Sequence, residues 1–345
     1  MIWHPLLLAV WVLDLLSLLL VLAAFRTAMR MALEEASPAV ANRRIQREIA
    51  AETAADRARW AYALFAMANV ALIIGITNVL PAIVPGAFCG TGVLQASGGS
   101  GQRALALRFV AIVFMFVGRV LEKLNRPRPD ATLTRLNARM LLLCAPLLLL
   151  AVGDTFRAIL RVDVGRPVDC CAVVYDQLRS LAETQSAAGI ADSYWLWAFG
   201  CSSVMLLGCG IWSWKSRSCA WTRIGGGLSL VAWSWVAVAA LTLAKVFSAH
   251  YYQVLHPRCL WCLFLPRCQF IGFVLCGLLV MVAWEGAAAG IAAMVAKHLP
   301  DLQQRAEERG RMAGLRLSLA AAAFLCLTGV PPIVWGVRYG VWIGG

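Results

Sequence analysis

The chain has 345 residues, is 61% hydrophobic and only 14% charged, and carries a formal net charge of +13 at pH 7. A soluble domain normally has about 25% charged residues, so the composition excludes an ordinary soluble domain. Basic charge could also serve nucleic acid, but no aromatic-basic module accompanies it, and nucleic acid is excluded as a partner.

The remaining charges are clumped, and long apolar stretches run between the clumps. A bilayer core is spanned by roughly 20 apolar residues as a helix. Backbone amides in lipid must be satisfied within their own segment, which makes helices the only plausible spans. The start Met1-Ile2-Trp3-His4 has no basic region, and the run from Pro5 to Phe25 ends in arginines without a small-residue cleavage site. It reads as a first membrane helix and not a removable leader.

In chain order the spans are Pro5–Phe25, Ala61–Ile83, Ala104–Val120, Met140–Leu160, Tyr194–Trp214, Gly226–Phe247, Phe270–Val295 and Leu317–Val337. The expectation is an all-α polytopic integral membrane protein, a single transmembrane domain over residues 1–345 with about eight transmembrane helices. Pro331 and Pro332 should kink or end the last span. No internal repeat is visible, so a transporter built from inverted halves has no support in the sequence.

Four alternate loops are rich in basic residues: seven Arg in Arg26–Arg59, six Lys or Arg in Arg119–Arg139, three in Lys215–Arg223 and five in Lys297–Arg316. By the positive-inside rule these face the cytoplasm, and both termini lie outside. The expected setting is a bacterial-type inner membrane, crossed many times, with membrane lipid as the surrounding partner. Residues 26–60 are rich in Ala, Arg and Glu, which favours a cytoplasmic helical hairpin turning at Pro38. That hairpin is either a plain link between spans or a docking arm. Outer loops 84–103, 161–193 and 248–269 carry cysteines.

Of the 12 cysteines, Cys89, Cys170, Cys171, Cys259, Cys262 and Cys268 fall on the outer side. An oxidising outer compartment permits disulfides there. Loop 84–103 is uncharged apart from Arg103 and rich in glycine. It reads either as a re-entrant cap over the outer face or as a plain flexible loop. Cys170 and Cys171 are adjacent, and bonding to each other would force a strained ring. Each either pairs elsewhere or serves as a thiol relay.

The densest chemistry is His250-Tyr-Tyr-Gln-Val-Leu-His256-Pro-Arg258-Cys259-Leu-Trp261-Cys262-Leu-Phe-Leu-Pro-Arg267-Cys268. A Cys-x-x-Cys pair places two sulfurs close enough for a small-ring disulfide, and nearby positive charge stabilises its thiolate. Three uses stay open: electron exchange, a static staple of the loop, or zinc or copper binding with His250 and His256. Haem is excluded, because the four histidines lie at or beyond span ends and no Cys-x-x-Cys-His is present.

The stretch from Pro257 to Gly272 resembles the first outer loop of the DsbB-type disulfide-generating membrane proteins. That family is a four-helix bundle with a Cys-x-x-Cys at its mouth, and it passes electrons from a thiol partner to a membrane quinone. The resemblance implies a thiol-disulfide oxidoreductase with Cys259 and Cys262 as the active pair, Cys170 or Cys171 as relay and Arg267 on the quinone side. His256 and Trp261 would line the cofactor site, although Trp261 also fits an interfacial aromatic belt. The soluble partner would be a thioredoxin-like thiol protein.

Charged residues inside spans are costly and are therefore functional candidates. Asp14 and Glu285 are either proton carriers or members of salt bridges between helices. Asp154 and Arg157 are one turn apart and can pair along one face. Carriers at Asp14 and Glu285 with structural disulfides would instead suit a transporter or a subunit of a membrane complex. Gly286 and Gly290 form a small-residue face for close helix packing.

Overall fold

The computed structural model describes residues 4–33, 41–125, 134–165, 167–168, 188–216, 221–248, 251 and 259–340. Among them every regular element is helical, and eight helices are long and apolar enough to cross a membrane. The protein is thus an all-α, multi-pass membrane protein. The chain forms two compact units, residues 1–168 and 169–345.

The first unit contains α1 (Pro5–Leu33), α2 (Ala41–Ile74), a short α3 (Gly90–Ala96), α4 (Ser100–Asn125) and α5 (Thr134–Leu160). Helices α1 and α2 both run well past their apolar stretches toward the 34–40 connection. With 29 and 34 residues, they reach roughly 43 and 51 Å at 1.5 Å per residue, against about 30 Å of hydrocarbon. The segment expected as a hairpin, 26–60, is helical on both sides of that connection, and Arg57 ties the two sides by donating to Thr27 Oγ1 at 3.3 Å. Its turn, including Pro38, lies outside the described residues. The core is a seam of Val21, Phe65, Met115 and Leu148.

At the end of α2 the chain tightens through a π turn, Gly75–Val79, and a 3₁₀ turn, Leu80–Ala82. The glycine-rich loop then folds back as α3, with Gly90, Gly92, Val93 and Leu94 buried. Gly86 adopts φ +78, and a Cβ there would strike the Val168 carbonyl, so only glycine fits. Val168 N–H donates to Pro85 O at 2.9 Å and Asp163 N–H to Ala96 O at 3.2 Å. Those bonds tie the loop to the segment after α5, which makes it a folded cap.

The second unit contains α6 (Ala188–Lys215), α7 (Trp221–Thr242), α8 (Ile271–His298) and α9 (Gln303–Tyr339). A π turn, Leu243–Phe247, again ends the second long helix. Both units therefore follow one order: two long helices, a π turn, a cysteine-bearing connection with short helical turns, and two long helices. That recurrence is carried by backbone conformation, and the side-chain sequence hides it.

An aromatic cluster fills the second unit. Phe199, Trp235, Phe247 and Phe324 are all nearly or wholly buried, with ring centroids of the contacting pairs 5.5 to 6.1 Å apart. Trp235 Nε1–H donates to Ser203 Oγ at 2.8 Å, which satisfies the indole inside the apolar core. Helices approach closely where side chains are small. A Cβ on Gly286 would lie 2.5 Å from that of Ala232, and one on Gly290 would lie 2.8 Å from Ser229 Oγ. The small-residue face of α8 is thus used inside the unit, against α7.

The last helix departs from expectation. It begins at Gln303 and runs through Pro331 and Pro332 to Tyr339. Proline removes an N–H and leaves a carbonyl four residues earlier without its donor. Tyr251 supplies a replacement to Leu327 O at 2.7 Å.

Candidate functional site

Cys259 stands in extended conformation at the head of a 3₁₀ turn, Leu260–Phe264. A second turn, Pro266–Cys268, starts on proline, whose fixed φ and missing N–H suit the first position. Cys262 N–H donates to Cys259 O at 3.3 Å, Leu265 N–H to Cys262 O at 3.1 Å and Cys268 N–H to Leu265 O at 3.0 Å. The three cysteines thus sit on successive short turns of one compact loop. The sulfurs of Cys259 and Cys262 lie within 4.8 Å of each other, and no disulfide is formed among the described cysteines.

The loop is anchored by apolar contacts. Leu263 is wholly buried, and a Cβ on Gly272 would lie 2.9 Å from the Leu263 carbonyl carbon. Glycine at 272 therefore lets the turn rest directly on α8. Phe264 meets Phe273 edge-to-face at 4.9 Å, and Trp261 stands 6.1 Å from Phe264. Gln269 and Phe270 both take left-handed φ, 53° and 56°, an arrangement costing about 1–3 kcal/mol per non-glycine residue. Packing on both sides holds this strain between Cys268 and α8.

Cys259 is buried, Cys262 and Cys268 are half-buried, Trp261 is half-buried, and Arg267 is exposed. Burial pushes the Cys268 thiol up, and the neighbouring Arg267 charge pulls it partly back. The pair Cys259 and Cys262 is thus brought together with Trp261 and Arg267 in one loop. Cys170, Cys171, His250 and His256 lie outside the described residues.

The span acids have defined partners. Asp14 is engaged by Arg108 through two hydrogen bonds, 2.7 and 2.8 Å, with side-chain exposures of 0 and 1%. Arg108 also donates to Asn69 Oδ1 at 2.9 Å and Thr155 Oγ1 at 3.3 Å, and lies 4.7 Å over the Phe65 ring. Four helices of the first unit meet at this guanidinium. A fork of donors and a satisfied second rank of acceptors make a buried ion pair tolerable. An open groove in this unit is lined almost wholly by apolar side chains such as Leu72, Leu94 and Ile159. Asn69, Thr155 and Phe65 belong to this cluster, and no sequence motif marks them.

Glu285 is held by Arg309 at 2.7 Å and Arg316 at 3.5 Å, both from α9. Asp154 does not pair along its own helix with Arg157. Its two oxygens accept from Arg103 of α4 at 2.9 and 2.6 Å, because a facing helix offers a forked approach that a neighbour one turn away does not. Lys245, in the second π turn, places its ammonium 4.7 Å over Trp195.

No family model matches the chain, and neither a curated protein nor a solved structure is similar to it.

Proposed function

We propose that this protein is a thiol-disulfide oxidoreductase of a bacterial-type inner membrane, working at the outer face and coupled to a quinone. The observation that carries this reading is Cys259 at the head of a 3₁₀ turn and Cys262 within it, their sulfurs within 4.8 Å. A disulfide needs about 2.05 Å between sulfurs, which small side-chain rotations can supply. The unit that carries the pair has four long helices, the number in the DsbB-type family whose loop it resembles. The basic loops support an orientation with the pair, and both termini, outside.

The cycle balances with two reactants. A thiolate of a soluble thioredoxin-like dithiol attacks the Cys259–Cys262 disulfide, a mixed disulfide forms, and the partner's second thiol displaces it. The partner leaves oxidised and the pair is left as two thiols. The pair then passes two electrons and two protons to a quinone, re-forming its disulfide and releasing quinol. Arg267 supplies positive charge beside the thiols, Trp261 an aromatic face, and His256 a proton donor or acceptor. Where a disulfide of Cys170 or Cys171 meets the partner first, it is reduced in place of Cys259–Cys262 and is then re-oxidised by that pair in a second exchange, so the same two electrons reach the quinone. Asp14 and Glu285, each held by arginine, act as structural anchors in this reading.

The test is a redox titration of the detergent-purified protein between about −300 and −120 mV, with alkylation and peptide mass spectrometry at each potential. Cys259 and Cys262 should change state together, and Cys262→Ser should abolish quinone reduction by dithiol. A pair that stays in one state throughout overturns the proposal in favour of a stapled transporter or complex subunit. Stoichiometric zinc or copper on the pair overturns it in favour of a metal site.

A further inference from the structure

Arginine at one end of the first unit is not accounted for by the thiol chemistry. Asp154, Arg157 and Arg161 fall three and four residues apart along α5 and its C-terminal turn, which places them on one face. Arg103 occupies both oxygens of Asp154. Asp163 spends one oxygen on the Gly165 N–H at 2.8 Å. Arg157 and Arg161 are exposed, and among the described residues neither guanidinium makes a hydrogen bond or a close ion pair. Among the described residues, Arg103, Arg157 and Arg161 thus stand against Asp154, whose two oxygens are both taken, and Asp163, which has one oxygen left.

The setting decides what can complete them. Arg157 lies inside the membrane span Leu136–Leu160. Its neighbours Phe156 and Leu160 are 46 and 51% exposed, as a lipid-facing surface requires. A charged side chain there must reach the headgroup layer and find a counter-charge. Positive charge on this side is not explained by topology, since the basic loops that orient the chain belong to the opposite ends of these helices. Two guanidiniums one helical turn apart can reach one phosphate, and each offers a fork of N–H donors that suits its oxygens.

We propose that Arg157 and Arg161 bind the phosphate of an anionic phospholipid whose acyl chain lies along Phe156 and Leu160. Arg103 adds to the local potential while holding Asp154 away from the site. The lipid fastens the end of α5 and the segment after it, which in turn holds the α3 cap through Asp163 and Val168.

Native mass spectrometry of the full chain, titrated with phosphatidylglycerol or phosphatidylcholine, tests this. The wild type should retain one phosphatidylglycerol that Arg157→Gln/Arg161→Gln binds about tenfold more weakly, the loss expected for a charge-assisted contact. Phosphatidylcholine uptake should be equal in both. Arg157→Lys/Arg161→Lys should keep part of the preference, as charge without the fork. Arg26→Gln/Arg30→Gln, at the far end of α1, should leave that lipid in place. Equal loss in the two glutamine variants, or no phosphatidylglycerol preference in the wild type, overturns the site. Displacement of the retained lipid by millimolar inorganic phosphate would make it a soluble-anion site and overturns the lipid assignment.

Discussion

Tyr251 donates its hydroxyl to the Leu327 carbonyl at 2.7 Å, the group that Pro331 leaves without a helical donor four residues on. The bond replaces the donor lost at Pro331, and it ties the chain just before the cysteine loop to the last helix. Tyr251→Phe should cost about 1 kcal/mol, because the half-buried carbonyl then lacks a donor. In a Pro331→Ala background the helix recovers its own N–H and the same change should cost less. Denaturant unfolding of the four variants reads this, and equal costs in both backgrounds would sink the idea.

Burial pushes the Tyr251 hydroxyl from its ordinary 10.0 up to about 12. Between those values the folded chain keeps a proton that the unfolded chain has lost, so stability falls as pH rises. The contribution is complete below pH 10 and declines toward 12. Thermal unfolding across that window should slope less steeply for Tyr251→Phe than for the wild type. Identical slopes would show that the hydroxyl is not desolvated.

Asp14→Asn should destabilise the first unit by about 3–5 kcal/mol, since it leaves Arg108 charged and buried without its carboxylate. Replacing both partners by leucine should cost far less. A stable Asp14→Asn protein that loses a proton-coupled activity would instead restore Asp14 as a proton carrier.

Cys268 should be alkylated more slowly than an ordinary thiol at neutral pH and gain reactivity as pH rises, because burial disfavours its thiolate. Arg267 offsets part of that effect. Arg267→Gln should therefore move the whole labelling profile to higher pH. An unmoved profile would mean that the guanidinium does not reach the sulfur in solution.

Gly286→Leu should disrupt the contact between α7 and α8, where a Cβ would already lie 2.5 Å from that of Ala232. Overpacking of this kind costs about 1–3 kcal/mol. Ala232→Gly should recover part of the loss in Gly286→Ala, and no recovery would place the strain elsewhere.

The apolar runs by themselves determined eight membrane helices, because in lipid no other backbone can satisfy its own hydrogen bonds and span. Ala-, Arg- and Glu-rich residues 26–60 likewise announced helix on either side of 34–40, and the Cys259–Cys262 spacing announced two nearby sulfurs. Local chemistry sufficed in each case. Only the tertiary structure decided that Asp14 belongs to Arg108, Asp154 to Arg103 and Glu285 to Arg309, since such pairs depend on which helices face each other. It alone showed that α9 survives its prolines, because the rescuing donor lies 76 residues away in sequence. The two π turns and the shared element order of the units were equally hidden, being properties of backbone path that many side-chain sequences can satisfy.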